Sequence, residues 1–287
     1  MGKKNKKEMA SVEATVEATV EATVGVLSAE VDDLKSGDSL LHRPPKATLI
    51  TGDTLEEMRK LETGSVNIVL TSPPYNLRNS TGYGMRASKT GTPHKGRWSS
   101  AALMHGYGDY DDNMPHEEYV AWQRECLTEM MRLIPEDGAI FYNHKWRVQG
   151  GLMQDRQDIV SGFPVRQIII WQRSGGINFN DGYFVPTYEV IYLIVKPKFK
   201  LIPKKNGYGD VWKIPQEKKN NHPAPMPLAL AERVMESVSG QVVLDPFMGS
   251  GTTGVAAQKF NKTFIGIERN SDYVKIAEER LNKNSLF

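Results

Sequence analysis

The sequence predicts an α/β fold, a mostly parallel sheet with helices on both faces. Three observations predict it. Apolar runs such as Val165 to Trp171 and Tyr188 to Val195 are nearly continuous, as strands covered on both faces require. Segments with apolar residues at helical spacing lie between the runs. Two strands end in special turns, one built on paired prolines and one on glycines.

In chain order, residues 1 to 45 read as an appendage. Lys3, Lys4, Lys6 and Lys7 open it, and Val-Glu-Ala-Thr then occurs at 12–15, 16–19 and 20–23. This low complexity predicts disorder, with a lysine-rich arm for import or nucleic-acid contact as its candidate roles. Pro44-Pro45 marks the boundary, and the globular part runs from 46 to 287. Ala47 to Ile50 is a strand, and Leu55, Met58 and Leu61 define a helix. Val66 to Leu70 is the next strand, ending at Ser72-Pro73-Pro74-Tyr75. A polar loop fills 77 to about 112, and Asp111-Asp112-Asn113 offer a cap for a helix over 115–134. That helix carries Tyr119, Trp122, Cys126, Met130 and Leu133 on one face, so Cys126 is a core thiol. Strands follow at Gly138 to Tyr142, Val165 to Trp171 and Tyr188 to Val195, the last leading into a lysine-rich loop at 196–220. Trp171 and Tyr188 are read as packing residues. A helix follows Pro227, then a strand to Asp245, a helix from Thr252, a strand ending at Glu268 and a helix over 271–282.

Composition excludes several classes. No apolar run approaches the roughly 18–20 residues of a membrane span, and the N-terminus lacks the apolar core of a secretory signal. One cysteine permits no intrachain disulfide and no multi-cysteine metal site, which fits an intracellular setting. The net charge is +2, but residues 77 to 108 hold Arg78, Arg86, Lys89, Lys95 and Arg97 without an acid. Residues 196 to 219 hold eight lysines, Lys204 and Lys205 among them, against Asp210 and Glu217. Two such basic stretches predict a polyanion-facing side.

Asp245 to Thr253 forms a strand, a Gly-x-Gly turn and a helix start, which lets backbone approach a ligand closely. Glu268, at the end of the next strand, is placed to hold two ribose hydroxyls. No lysine follows Gly251, which argues against a triphosphate loop, and Asp245 suits a cationic or amino ligand.

Thr71-Ser72-Pro73-Pro74-Tyr75-Asn76 and Asp245-Pro246-Phe247-Met248-Gly249-Ser250-Gly251-Thr252-Thr253 together resemble the two signature motifs of S-adenosylmethionine-dependent DNA amino-methyltransferases. The catalytic motif comes first, the order of the family's beta class. The resemblance covers about 46 to 283 and implies a Rossmann-like class I methyltransferase fold, circularly permuted, with S-adenosylmethionine as cofactor and DNA as partner. At the matching positions, Asp245 and the turn carrying Phe247, Gly249, Ser250, Gly251 and Thr252 would hold the methionine part. Glu268 would hold the ribose and Asp53 would lie near the adenine. His222 and Pro223 would pack over the methionine end.

Ser72, Pro73, Pro74 and Tyr75 would be the catalytic elbow. The Ser72 hydroxyl and the Pro73 carbonyl would accept the N–H groups of an exocyclic amine, freeing its lone pair, while Tyr75 stacks on the flipped base. Adenine enzymes of the family mostly carry Asp where this chain has Ser72, so cytosine N4 is favoured, with adenine N6 the alternative. Base contacts would come from the two basic loops, from the second subunit of a homodimer, or from another protein. The rival readings are an RNA or protein-amide methyltransferase and a catalytically silent DNA-binding relative.

Overall fold

A computed structural model describes residues 46–76, 112–149, 151–175, 181–216 and 226–284. The N-terminal extension, Arg78, Arg86, Lys89, Lys95, Arg97, His222 and Pro223 lie outside the described residues.

The main sheet has eight strands: β1 (Ala47–Thr51), β2 (Ile68–Thr71), β3 (Ala139–His144), β6 (Val165–Gln172), β7 (Tyr188–Val195), β8 (Val211–Lys213), β9 (Val242–Asp245) and β10 (Thr263–Glu268). A separate hairpin pairs β4 (Arg147–Gln149) with β5 (Leu152–Gln154). The spatial order is β1-β10-β9-β2-β3-β7-β6-β8. All neighbours are parallel except at β7, which is antiparallel to both β3 and β6.

Helices cover both faces. One face carries α1 (Thr54–Lys60), α2 (His116–Leu133) and the short α3 (Gln157–Val160). The other carries α4 (Leu228–Ser237), α5 (Thr252–Lys259) and α6 (Ser271–Asn284). The split follows the strands' alternation. Ile68 and Leu70 of β2 enter the α4–α6 core, while Val69 enters the α1–α3 core. The apolar strand runs are therefore buried twice over, as their composition requires.

Local chemistry sets most helix ends. The Asp53 carboxylate accepts the N–H groups of Leu55 (3.0 Å) and Glu56 (3.2 Å) and so starts α1. α2 stops at Ile134, extended because Pro135 follows. Its start departs from the sequence expectation. Pro115 occupies the cap position without a side-chain bond, and the Asp112 carboxylate instead accepts the N–H of Asn76 at 2.7 Å. A local capping rule lost there to a partner distant in sequence. The structure also adds β4, β5 and β8, three-residue strands too short to leave a periodic signal.

Sheet order places the site. From β9 the chain passes through α5 to β10 on one side, and from β2 through α2 to β3 on the other. The carboxyl ends of adjacent β2 and β9 thus flank a topological switch point, where open α/β sheets leave a crevice.

Candidate active site

Both special turns open into that crevice. The cleft encloses about 1120 Å³, counted out to the solvent at its mouth, and its walls include Asp53, Ser72 to Tyr75, Asp245 to Ser250 and Glu268. Two segments separated by more than half the chain therefore share one cavity, and their coupling is direct. Asp245 at the end of β9 accepts from Thr71 Oγ1 (2.8 Å), at the end of β2, and from Thr253 Oγ1 (2.7 Å). The N–H of Phe247 completes its hydrogen bonds at 3.2 Å. Burial pushes the Asp245 carboxyl up to about 6, against the pull of these donors.

The glycine turn is shaped by its neighbours. Gly249 (φ +52°) donates its N–H to Glu268 Oε2 at 2.8 Å, and Asn270 N–H donates to Oε1 at 2.9 Å. Glu268 is thereby fixed at the cleft wall, and burial raises its carboxyl above the usual range. Gly251 caps α5 at φ +78°, where a Cβ would stand 2.8 Å from the Cβ of Ala277. Arg280 donates to the Ser250 carbonyl at 2.5 Å, to Ser250 Oγ at 2.9 Å and to Thr252 Oγ1 at 3.2 Å, tying the turn to α6.

The proline elbow is held by residues that sequence reasoning did not single out for the site. Tyr119 of α2 donates its hydroxyl to the Pro74 carbonyl at 2.8 Å and pairs with His144 Nε2 at 2.7 Å. His144 is wholly buried, and burial reinforced by the nearby Arg156 charge holds it well below its usual pKa, so the ring is neutral. It stacks on Tyr75 with ring centres 4.8 Å apart. The Tyr75 hydroxyl lies 2.6 Å from Ser72 Oγ and donates to Glu189 Oε2 at 3.0 Å. Asn143 Nδ2 lies 3.1, 2.7 and 3.0 Å from Ser72 Oγ, Tyr75 Oη and Glu189 Oε2. Arg173 pairs with Glu189 Oε1 at 3.4 Å, both side chains about 10% exposed. The available signal was a polar residue inside or at the end of a buried strand, which must find a partner. Glu189 interrupts the β7 run, and Asn143-His144 finish β3.

Other expected residues stand elsewhere. Lys204 and Lys205 lie between the end of β7, where the chain reaches the amino edge of the parallel strands, and the start of β8, which climbs back. Lys205 is neutralised by Glu236 at 3.0 Å and bonds the Tyr208 hydroxyl at 2.9 Å. The pair thus sits at the edge of the sheet opposite the elbow. Trp171 is packing, as read, with its Nε1 donating to the Ile214 carbonyl. Cys126 is fully buried, and its thiol is pushed far up by burial.

The cleft's chemistry suits S-adenosylmethionine. Three carboxylates, Asp53, Asp245 and Glu268, oppose one cation, Arg269, which disfavours phosphate and favours a cationic ligand with ribose hydroxyls. Phe247, Ile267, Trp122 and Met226 supply apolar wall, with Trp122 edge-on to Phe247 at 5.6 Å.

Fold and cleft together define a class I methyltransferase. Comparison with known proteins then gives the family: the chain belongs to the N6/N4 DNA methylases, whose family model, described as DNA methylase, matches residues 66–279. It is 28% identical over 260 residues to the Type II methyltransferase M.HpaI of Haemophilus parainfluenzae, covering 82% of this chain and 74% of that one. It is 26% identical over 283 residues to the Type II methyltransferase M2.LlaDCHI of Lactococcus lactis subsp. cremoris, covering 90% and 98%. Among solved structures, the cytosine-N4-specific PvuII DNA methyltransferase shares the fold with a TM-score of 0.60 at 17% identity, covering 84% of this chain and 92% of that one. The complex of M1.HpyAVI with S-adenosylmethionine aligns with a TM-score of 0.51 at 21% identity, covering 82% and 100%.

Proposed function

We propose that this chain transfers the methyl group of S-adenosylmethionine to the exocyclic amino group of a base flipped out of DNA, with cytosine N4 as the acceptor. The observation that carries the reading is the sharing of one cleft by the Ser72–Tyr75 elbow and the Gly249–Gly251 turn, bridged by the Thr71–Asp245 hydrogen bond. Glu268 would hold the ribose, Asp53 would face the adenine end, and Asp245 with the turn would hold the methionine end. When bound, the cofactor supplies an electrophilic methyl group on a sulfonium.

The chain's own residues prepare the acceptor. An exocyclic amine is a poor nucleophile because its lone pair is delocalised into the ring. Accepting its N–H groups at Ser72 Oγ and the Pro73 carbonyl favours a tetrahedral nitrogen and frees the lone pair. The elbow is rigid, since two prolines fix its backbone and Tyr119 pins the Pro74 carbonyl, so the acceptors are prepositioned. Tyr75 backs on His144 and lines the cleft, so its ring is placed to receive the base. The choice of cytosine rests on Ser72, where the family's adenine enzymes mostly carry Asp.

Incubation with labelled S-adenosylmethionine and genomic DNA, followed by digestion and mass spectrometry of the nucleosides, tests the reading. N4-methylcytosine is expected. N6-methyladenine alone would overturn the base assignment, and label confined to RNA or protein would overturn the function. Mapping the methylated positions also yields the recognition site.

A further inference from the structure

Resting on that reading of the elbow, we propose that Glu189, held by Arg173, is a positioning residue that sets the direction of the elbow's hydrogen-bond chain and so makes Ser72 an acceptor toward the target amine. A serine hydroxyl is ambivalent, able to donate or accept as its proton rotates. The 2.6 Å contact between Ser72 Oγ and Tyr75 Oη is equally so, since either oxygen can be the donor. The direction must come from a group that cannot switch.

Glu189 is that group. Paired with Arg173 and about 10% exposed, its carboxylate only accepts. At 3.0 Å from Glu189 Oε2, Tyr75 must donate its hydroxyl proton there. The Tyr75 oxygen has then spent its proton and can only accept from Ser72. Ser72 in turn gives its proton to Tyr75 and keeps lone pairs for an incoming N–H. Asn143 reinforces the same polarity. Turning its amide over would set a carbonyl oxygen against Glu189 Oε2 at about 3.0 Å, so Nδ2 must face the cluster. It donates within reach of all three oxygens. The hydroxyl protons of Ser72 and Tyr75 thus both point toward Glu189, and the acceptor end emerges at Ser72, which lines the cleft.

The isosteric variant Glu189→Gln tests this. Arg173, a donor only, will draw the amide oxygen, and Asn143, no longer facing a carboxylate, can turn its own amide over to accept from the Gln NH2, which then also faces Tyr75. The chain then reverses: Tyr75 donates to Ser72, and Ser72 presents its proton to a group that is itself a donor. The expected result is a fall in kcat of roughly 100-fold on mapped DNA. The Kd for S-adenosylmethionine by calorimetry should stay within about twofold and the Tm within about 3 °C, readouts that a merely structural role would move. Arg173→Met combined with Glu189→Gln frees the amide to turn its oxygen to Tyr75. It should recover about tenfold of the lost kcat, although Arg173→Met alone is itself impaired. Unchanged kcat in Glu189→Gln, with active wild-type protein, would overturn the relay and leave the proposed function standing. So would a loss of kcat that tracks lost cofactor binding, or a double variant worse than Glu189→Gln. Wild-type protein that methylates no DNA would overturn the functional reading, and the relay with it.

Discussion

Asp245 stores a conflict between stability and binding. Its carboxyl is driven up to about 6 by burial, from an ordinary value of 3.8. A raised pKa means that the folded protein holds the proton more tightly than the unfolded chain does. The contribution of this group to stability is therefore complete below about pH 3.8 and lost as the pH rises through about 6, a loss of about 3 kcal/mol. Asp245→Asn removes that cost while an amide can still meet Thr71, Thr253 and the Phe247 N–H. At pH 7.5 the variant should unfold in denaturant at an equal or higher midpoint than wild type. On the proposed placement of the methionine end at Asp245, it should bind S-adenosylmethionine at least tenfold more weakly, the ligand's ammonium having lost a charged partner. Wild-type affinity should fall as the pH drops below 6, and that of the variant should stay flat. Calorimetry at pH 5.5 and 7.5 reads both. At this scale the sequence was legible where chemistry is local: the paired prolines, the glycine turn and Glu268 announce themselves. Asn143, His144, Glu189 and Arg173 did not, because three strands distant in sequence deliver them to one elbow and each reads alone as strand filler.

Among the elements, the passage from β9 through the glycine turn into α5 depends on close approach to α6. Gly251 combines a left-handed backbone with a Cβ position 2.8 Å from the Cβ of Ala277. Gly64 has a similar φ of +74° with nothing within 4 Å. The pair separates backbone strain from crowding. Gly64→Ala should cost about 1 kcal/mol in chemical denaturation, the backbone effect alone. Gly251→Ala should cost about 3 kcal/mol, because α6 must also shift, and it should weaken cofactor binding as the turn moves with it. The elements themselves were largely legible, since the two-faced burial of the sheet writes apolar runs into the sequence. The start of α2 was not. Asp112 looks like a cap by every local rule, yet its carboxylate is committed to Asn76.

Taken whole, the described residues form a scaffold whose candidate site gathers at the carboxyl ends of the strands, at the β2–β9 switch point. Parallel strands joined through helices lead there, so the site's place follows from the order of elements once both motifs are placed on strand ends. Charge along the chain does not by itself place a residue at one edge of the sheet or the other. Lysine runs mark solvent, and only topology says which edge the solvent lies on. Lys205 went to the far edge and found Glu236.

The clamp at Asn76 has a consequence of its own. Asn76 binds Asp112 through its N–H and Met114 through both ends of its side-chain amide, at 2.7 to 2.8 Å, and Arg147 donates to its carbonyl at 2.9 Å. The described chain stops at residue 76, past the end of β2, and resumes at residue 112, ahead of α2, and these hydrogen bonds hold the two ends together. Closing a shorter loop there changes the entropic cost by only about 1 kcal/mol. Replacing residues 77 to 111 with about eight Gly/Ser residues should leave the Tm within a few degrees and cofactor binding intact. If the segment's arginines and lysines contact phosphates, as the sequence predicts, DNA affinity should fall and lose most of its dependence on salt. Gel-shift titrations at two salt concentrations, alongside calorimetry, would show it. Such a clamp closes the scaffold at both ends of the segment, so a change of length between 77 and 111 need not be transmitted to the elbow on its amino side or to α2 on the other.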